Sequence, residues 1–185
     1  MMLALLRPNV ALCQACLLGA IALLIALPNQ ALATDGCYAR EYSASHLAQH
    51  PDQTVTSMAL GLRAQKDDPK LFDGAIAVTV RGSDRRRLTV GICEPTGRNS
   101  FDCGIECDGG SFQLRPSSRK GSMRLILQRI YFDGGCGFDA GAGNGYELTA
   151  GKDDKLFRLD PSANARCKAL FEEIDRQGFA ADAAN

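Results

Sequence analysis

The chain has 185 residues, of which 21 are basic and 21 are acidic, so its formal net charge is zero. A neutral chain has no bulk electrostatic attraction to nucleic acid or to a charged membrane, and only a local cluster of charge could provide one. The length suits one domain with its own hydrophobic core once the N-terminal segment is set aside.

The N-terminal segment has the pattern of a cleaved secretory signal. Arg7 precedes an uninterrupted apolar run over residues 15–27, and Ala31 and Ala33 supply the small residues needed for cleavage before Thr34. The run is too short for a membrane-spanning helix, which needs about 20 apolar residues. The sequence therefore predicts that this segment is removed and that the protein is periplasmic or secreted.

Three segments follow from this interpretation: a signal peptide over residues 1–33, a single disulfide-bonded domain over residues 34–180 and a frayed tail at residues 181–185. Removal of the signal would leave six of the eight cysteines. In an oxidising compartment an even number predicts three disulfides, with 15 possible pairings. A zinc site is the alternative, because Cys103 and Cys107 are four residues apart, but exported thiols are rarely kept free.

The positions of the cysteines predict two features of their pairing. Four cysteines fall at or within two long predicted connections, so at least one disulfide should join two members of this group. The group consists of Cys93, Cys103, Cys107 and Cys136. By elimination, the remaining disulfide joins Cys37 to Cys167, which would attach the start of the domain to its C-terminal helix.

Alternating apolar residues predict seven antiparallel β-strands. Their apolar positions lie within residues 58–64, 76–80, 88–92, 112–114, 123–132, 146–150 and 156–159. A short helix over residues 43–50 precedes the first strand, with Ser43 as its cap and Pro51 just beyond its end.

The C-terminal segment predicts a second helix. Asp160 can act as its cap, Pro161 suits the first helical position, and Gly178 ends the pattern. Apolar residues recur at helical spacing over residues 163–174. The predicted strand over residues 123–132 is apolar on both faces, so its outer face needs a cover. We expect the C-terminal helix to provide that cover.

The strand directions predict a molecule with a basic end and an acidic end. Short connections with many arginines and lysines should lie at one end, at residues 82–86, 116–121 and 151–155. Long connections with acidic residues should lie at the other, at residues 94–108 and 133–145. The alternative is that these charges only solubilise the turns.

The connection over residues 94–108 is the predicted recognition loop, because it is longer than an ordinary hairpin turn and contains cysteines. Phe101 has two interpretations, an exposed contact in this loop or a cover for the open end of the core. Together with the second long connection, the predicted binding residues are Arg98, Asn99, Phe101, Asp102, Glu106, Asp108, Asp133 and Asp139.

No motif in the sequence predicts catalysis, a metal or a cofactor. Residues 134–141 overlap one calcium-binding nonapeptide repeat, but such repeats bind calcium as stacked copies. His46 and His50 have the spacing of a zinc peptidase motif, in which Leu47 replaces the required glutamate base. A metal pair and a pair on a partly exposed helix face both remain open for these histidines, and the second is favoured.

The predicted fold is α+β, with an antiparallel sheet of about seven strands closed into a small barrel or sandwich, a short N-terminal helix and a C-terminal helix packed on it. The predicted function is a monomeric, non-catalytic binding module whose acidic loop end engages a cationic protein, such as a cell-wall hydrolase that it would inhibit. The alternative is an envelope-associated structural protein whose basic turns contact an anionic glycolipid or polymer. The basic residues named for that contact are Arg85, Arg86 and Arg87, and no nucleic-acid partner is expected.

The signal interpretation can be tested by N-terminal sequencing of the protein recovered after expression in an exporting host. The recovered chain should begin within a residue or two of Thr34, because Ala31 and Ala33 flank the cleavage site. The Ala33→Arg variant should keep the segment, because a large cation then occupies that site. Recovery of the wild-type protein from membranes with residues 1–33 still attached would contradict the prediction.

Overall fold

The computed structural model describes residues 35–133 and 145–177, which form nine β-strands and two α-helices. In chain order these elements are β1 (Gly36–Glu41), α1 (Ala44–Gln49), β2 (Val55–Ala64), β3 (Phe72–Val80), β4 (Ser83–Gly97), β5 (Ser100–Ile105), β6 (Gly110–Pro116), β7 (Met123–Phe132), β8 (Tyr146–Thr149), β9 (Leu156–Pro161) and α2 (Asn164–Gln177). The expected signal segment, the glycine-rich residues 134–141 and the tail at residues 181–185 lie outside the described residues. Within the described ranges, no helix is long and apolar enough to cross a membrane.

Eight of these strands close into an antiparallel barrel. Hydrogen-bonded neighbours follow the order β6, β5, β4, β3, β2, β1, β9, β7, and β6 pairs with β7 to complete the circle. The ninth strand, β8, pairs with residues 129–132 of β7, beyond the part of β7 that pairs with β9. The α+β class and the mostly antiparallel sheet are therefore confirmed, and the described residues contain two more strands than the seven expected.

The strands β1 and β5 have no counterpart among the predicted strands. β1 pairs with β2 along its whole length and with β9 near its middle. β5 lies inside the predicted loop over residues 94–108, because β4 continues to Gly97, the chain reverses at Asn99 with a φ of 52°, and β5 returns along β4. The prediction of one long recognition loop is therefore wrong, since most of this segment is a tight β-hairpin.

Large apolar side chains fill the interior of the barrel. The fully buried aromatic residues are Phe101, Phe112, Phe132 and Phe157. Phe101 is only 1% exposed, and its ring packs edge-on against Phe72 with 5.2 Å between the ring centroids. Phe101 therefore belongs to the core, and its interpretation as an exposed contact is wrong.

The helix α2 packs on the outside of the barrel against β1, β2, β3 and β4. Its buried residues Leu170, Phe171 and Ile174 lie on a surface formed mainly by the alanines of β1, β2 and β3. Gly61 of β2 lies so close to α2 that a Cβ atom there would be 2.8 Å from the Phe171 ring. Small side chains allow this close approach, and α2 therefore covers β1–β4. The prediction that α2 covers β7 is wrong.

The start of α2 also differs from the prediction. Asp160 and Pro161 are the last residues of β9, where they pair with Ala39 and Tyr38 of β1. The helix begins only at Asn164. Asp160 is therefore not a helix cap, because strand pairing with β1 holds this part of the chain extended.

Two disulfides join pairs of described residues, one between the barrel and α2 and one within the barrel. Cys37 of β1 is bonded to Cys167 of α2, with 5.7 Å between their Cα atoms, which confirms the pairing expected by elimination. Cys93 of β4 is bonded to Cys103 of β5, its direct neighbour across the hairpin. This second disulfide confirms that members of the expected group pair with each other.

Replacement of Phe101 by alanine should lower the free energy of unfolding by about 3–5 kcal/mol, because it leaves a cavity beside Phe72. Leu170→Ala truncates a fully buried residue of α2 and should cost roughly 2–5 kcal/mol. Leu156→Ala is the control, since Leu156 is 52% exposed and a surface substitution should change stability by less than about 0.5 kcal/mol. Denaturant melts of the three variants provide the measurement. A Phe101→Ala protein as stable as the control would contradict the core position of Phe101.

Candidate functional site

The predicted binding residues do not form one surface. Arg98 and Asn99 lie in the turn between β4 and β5, whereas Glu106 and Asp108 lie in the turn between β5 and β6. These two turns are at opposite ends of β5, so the single loop end expected from the sequence is not formed. Asp139 lies outside the described residues.

The turn between β5 and β6 is short, acidic and covalently held. Glu106 and Asp108 are both exposed on either side of Cys107, which is disulfide-bonded. Cys107 and Asp108 have φ values of 55° and 59°, in the left-handed region. The sixth expected cysteine, Cys136, lies outside the described residues. This turn is the part of the predicted acidic surface that stays exposed.

Two other predicted binding residues are ion-paired. Asp102 forms an ion pair with Arg115. The Asp133 carboxylate lies 3.2 Å from both Arg85 and Arg87. Acidic and basic side chains that were expected at opposite ends of the molecule are thus in direct contact, so the prediction of a basic end and an acidic end is wrong.

A groove of about 380 Å³ beside α2 also contains charged residues. It lies against β1, β2 and β3, and three arginines line it: Arg40, Arg86 and Arg166. Each of them forms an ion pair with a carboxylate: Arg40 with Asp160, Arg86 with Glu173, and Arg166 with Glu41. Because each guanidinium already has a partner, this groove is a weak candidate for binding an anion.

The two histidines pack at the end of α1. His46 and His50 stack with 4.3 Å between their ring centroids. His46 Nε2 is 3.0 Å from the side-chain oxygen of Gln53, and His50 Nδ1 is 3.6 Å from the Asp153 carboxylate. In the part of the chain that the structure describes, no group of three or more His, Cys, Asp and Glu side chains could hold a metal ion.

A row of three arginines crosses the outer face of the barrel on β6, β7 and β9. Arg115 is directly opposite Arg124, and Arg124 is directly opposite Arg158. Their sequence neighbours are buried in the barrel interior: Leu114, Leu125 and Leu159. Side chains alternate between the two faces of a strand, so the three arginines point outwards. Cβ atoms of directly opposite residues are about 4.5–5.5 Å apart, so the three side chains leave the sheet next to one another.

Two further cations lie next to this row, in the turn between β6 and β7. Arg119 and Lys120 are both exposed there. Gly121, with a φ of 80°, brings the turn close to Pro161 at the end of β9. We define the basic face as the row and this turn together, that is Arg115, Arg119, Lys120, Arg124 and Arg158.

Asp160 lies at one edge of the basic face and is shared by several cations. A hydrogen bond from the Ser122 hydroxyl, 2.8 Å long, lowers the pKa of Asp160 below its ordinary value. Nearby guanidinium groups lower this pKa further, against the opposing effect of desolvation, and they belong to Arg158, Arg119 and Arg40. The buried Nε of Arg158 is 3.6 Å from the Asp160 carboxylate and has no hydrogen-bond partner among the described residues. One carboxylate therefore serves several guanidinium groups.

Arg124, at the centre of the row, forms no ion pair with any described residue. Its Nε donates a hydrogen bond to the Pro116 carbonyl oxygen at 3.2 Å. On both sides it faces another arginine, Arg115 and Arg158. Like charges directly opposite each other destabilise a sheet. The register therefore leaves Arg124 with a like charge on each side and no carboxylate partner among the described residues.

The chemistry of the basic face suits an oxyanion. Guanidinium groups donate two parallel hydrogen bonds to phosphate or carboxylate, and such charge-assisted bonds are stronger than neutral ones. Adjacent arginines can therefore hold a single anionic group between them. The acidic side chains that oppose them are Asp102 and Asp160, so the face keeps an excess of positive charge.

Sequence reasoning did not single out Arg124 or Arg158. The alternation that turns these residues outwards is visible in the sequence, because Leu125 and Leu159 follow them directly. Their adjacency is not visible there, because β7 and β9 are separated in the chain by β8. A search for arginines at outward-facing strand positions would have found the residues but not the row.

No protein-family model matches this chain, and no curated protein or solved structure shows significant similarity to it. The candidate site therefore rests on the geometry and the charges of the chain itself.

Arg124→Gln should raise the free energy of unfolding by roughly 0.2–1 kcal/mol at low ionic strength, because it removes the repulsion from both neighbouring arginines. The gain should shrink at high salt, since the screening length falls to about 3 Å at 1 M, below the spacing of directly opposite residues. Lys168→Gln on α2, where the side chain is 80% exposed, controls for the loss of one surface cation. Denaturant melts at low and high salt provide the measurement. An Arg124→Gln protein that is less stable than the wild type at both salt concentrations would show that favourable contacts hold the row together.

Proposed function

We propose that this protein is a non-catalytic binding module that attaches to an anionic glycolipid or polymer of the cell envelope through the basic face. The observation that carries the proposal is the register of Arg115, Arg124 and Arg158, which places three cations side by side with the central one unpaired among the described residues. The contact thus differs from the basic turn expected from the sequence. The arginines named for that turn, at positions 85–87, lie in β4 and already have carboxylate partners.

The basic face explains how a chain with no net charge could still attract an anion. The formal net charge is zero, so attraction to an anion has to come from an uneven distribution of charge. Several arginines outside the basic face are balanced by nearby acids, as Arg86 is by Glu173 and Arg166 by Glu41. What distinguishes Arg124 from the other arginines without an ion pair is that it lies directly opposite two arginines, and an anionic ligand would be attracted most strongly there.

The proposed location is an oxidising compartment, the periplasm or the cell exterior. The disulfides Cys37–Cys167 and Cys93–Cys103 support it, because such bonds persist where thiols are not kept reduced. The cleavage pattern before Thr34 supports export by an independent route. A monomer is the simplest state for a module that acts through one face.

The second candidate is the binding of a cationic protein, such as a cell-wall hydrolase that the module would inhibit. The exposed acidic turn favours it, because Glu106 and Asp108 lie beside the disulfide-bonded Cys107 and are thus presented on a constrained backbone. A rigid acidic turn can enter a cationic cleft with little loss of conformational freedom.

Titration of the purified mature protein with fluorescent inorganic polyphosphate tests the first candidate. The wild type should bind, and Arg124→Gln/Arg158→Gln should bind at least about tenfold more weakly, since a charge-assisted hydrogen bond contributes roughly 1.5–3 kcal/mol. Arg86→Gln/Arg166→Gln is the matched control, because it removes two cations that already have carboxylate partners.

Two outcomes would overturn the first candidate. Equal weakening by both double variants would mean that only net charge matters. Binding of poly-lysine in place of polyphosphate, with loss of that binding in Glu106→Gln/Asp108→Asn, would favour the acidic turn. Asn tolerates the left-handed backbone at position 108, so this variant should keep the shape of the turn.

A further inference from the structure

An apolar row lies directly beside the arginine row on the outer face of the barrel. This second row lies two residues from the arginines along each strand. In it, Gln113 of β6 is opposite Ile126 of β7, and Ile126 is opposite Leu156 of β9. Leu156 is 52% exposed, and among the described residues it is the large hydrophobic residue that is classed as exposed. Leu156 and Ile126 therefore form an apolar pair on the same surface as the cations.

Nothing in the described part of the chain covers this apolar pair. The helix α2 contacts β1, β2, β3 and β4, on a different part of the barrel wall. Ile126 and Leu156 lie on β7 and β9, and Ile126 stays only partly buried. Ile130 and Phe132, which the sequence placed on the outer face of β7, are buried in the barrel, so Ile126 is the apolar residue that β7 presents beside the arginine row.

A row of cations lies along one side of the apolar pair. Arg158 follows Leu156 on the same outward face of β9, and Arg124 precedes Ile126 on β7, so both belong to the arginine row. Lys155 is exposed immediately before Leu156. Residues two apart on a strand are about 6.5 Å apart, so each apolar side chain has a cation within reach of one headgroup. Long basic side chains next to exposed apolar residues are typical of surfaces that rest on a lipid bilayer.

We infer that the anionic partner of the basic face is a phosphate-bearing lipid in a membrane surface, with the arginine row on the headgroups and Leu156 inserted between them. This inference rests on the proposed function and specifies its ligand. A soluble polyanion would satisfy the arginines but leave Leu156 and Ile126 in water, whereas an amphiphile satisfies both rows at once. Binding should be reversible, because one leucine and a few cations supply far less than a membrane anchor does.

The absence of tryptophan from the whole chain allows a direct test. A Leu156→Trp variant carries a single reporter at the proposed contact. Its emission should shift to shorter wavelength when vesicles of phosphatidylcholine and phosphatidylglycerol are added, because the indole leaves water. Lys168→Trp is the matched control, since position 168 on α2 is 80% exposed and α2 packs on β1–β4 and not on the arginine row, so its emission should not move. Pure phosphatidylcholine vesicles should shift neither variant.

Vesicle sedimentation then separates the contributions of charge and apolar contact. Leu156→Gln should bind the anionic vesicles roughly 3- to 10-fold more weakly, as expected for losing part of a buried leucine, but should bind polyphosphate as the wild type does. Arg124→Gln/Arg158→Gln should weaken the binding of both ligands, by about fivefold per cation on the vesicles.

The outcomes distinguish failure of this inference from failure of the proposed function. Polyphosphate binding without a shift of the Leu156→Trp emission on anionic vesicles would overturn the lipid inference and leave a soluble polymer as the ligand. An equal shift for Lys168→Trp would also overturn it, because the contact would then not involve β9. Loss of binding to both vesicles and polyphosphate in the wild type would overturn the proposed function itself.

Discussion

The barrel depends on a narrow contact between β1 and β9. Two residue pairs join these strands, Tyr38 with Pro161 and Ala39 with Asp160, whereas β1 pairs with β2 along its whole length. The Cys37–Cys167 disulfide lies beside this contact and ties β1 to α2, which follows β9 closely in the chain. A covalent bond thus supports closure where the hydrogen-bonded ladder is shortest. Without closure, β1 and β9 would each present an unpaired strand edge.

Closure also creates the basic face. Arg158 of β9 is opposite Arg124 of β7 because the C-terminal strand returns to fill the gap between β7 and β1. The same return leaves Asp160 to be shared among several guanidinium groups. Ion pairs such as Arg86 with Glu173 balance charge elsewhere on the barrel. The position of the unpaired cations, and not their number, therefore separates this face from the rest of a neutral chain.

The two parts of the outer wall differ in the size of their outward side chains. On β1–β3 these residues are mostly alanine, and Gly61 allows direct contact with Phe171, so α2 packs there. On β7 and β9 the outward residues are long, as with Arg124 and Leu156, and no described helix covers them. The prediction that β7 has two apolar faces is wrong, because a register shift opposite β6 turns Ile130 and Phe132 into the core. A flat surface of small residues gives closer packing and excludes more water.

The sequence alone determined most of the strands and their core-facing residues, because the alternation of apolar residues is a local property of each strand. It placed Ile130 and Phe132 on the wrong face of β7, because the register shift there depends on pairing with β6. It also determined the two helices and, through a count of cysteines, the Cys37–Cys167 bond. It missed β5, because glycine and cysteine between Phe101 and Ile105 resemble a loop. Only the tertiary structure decided the register of β7 with β9, the carboxylate partner of each arginine and the face that α2 covers. These features depend on contacts between residues distant in sequence, which form only when the barrel closes.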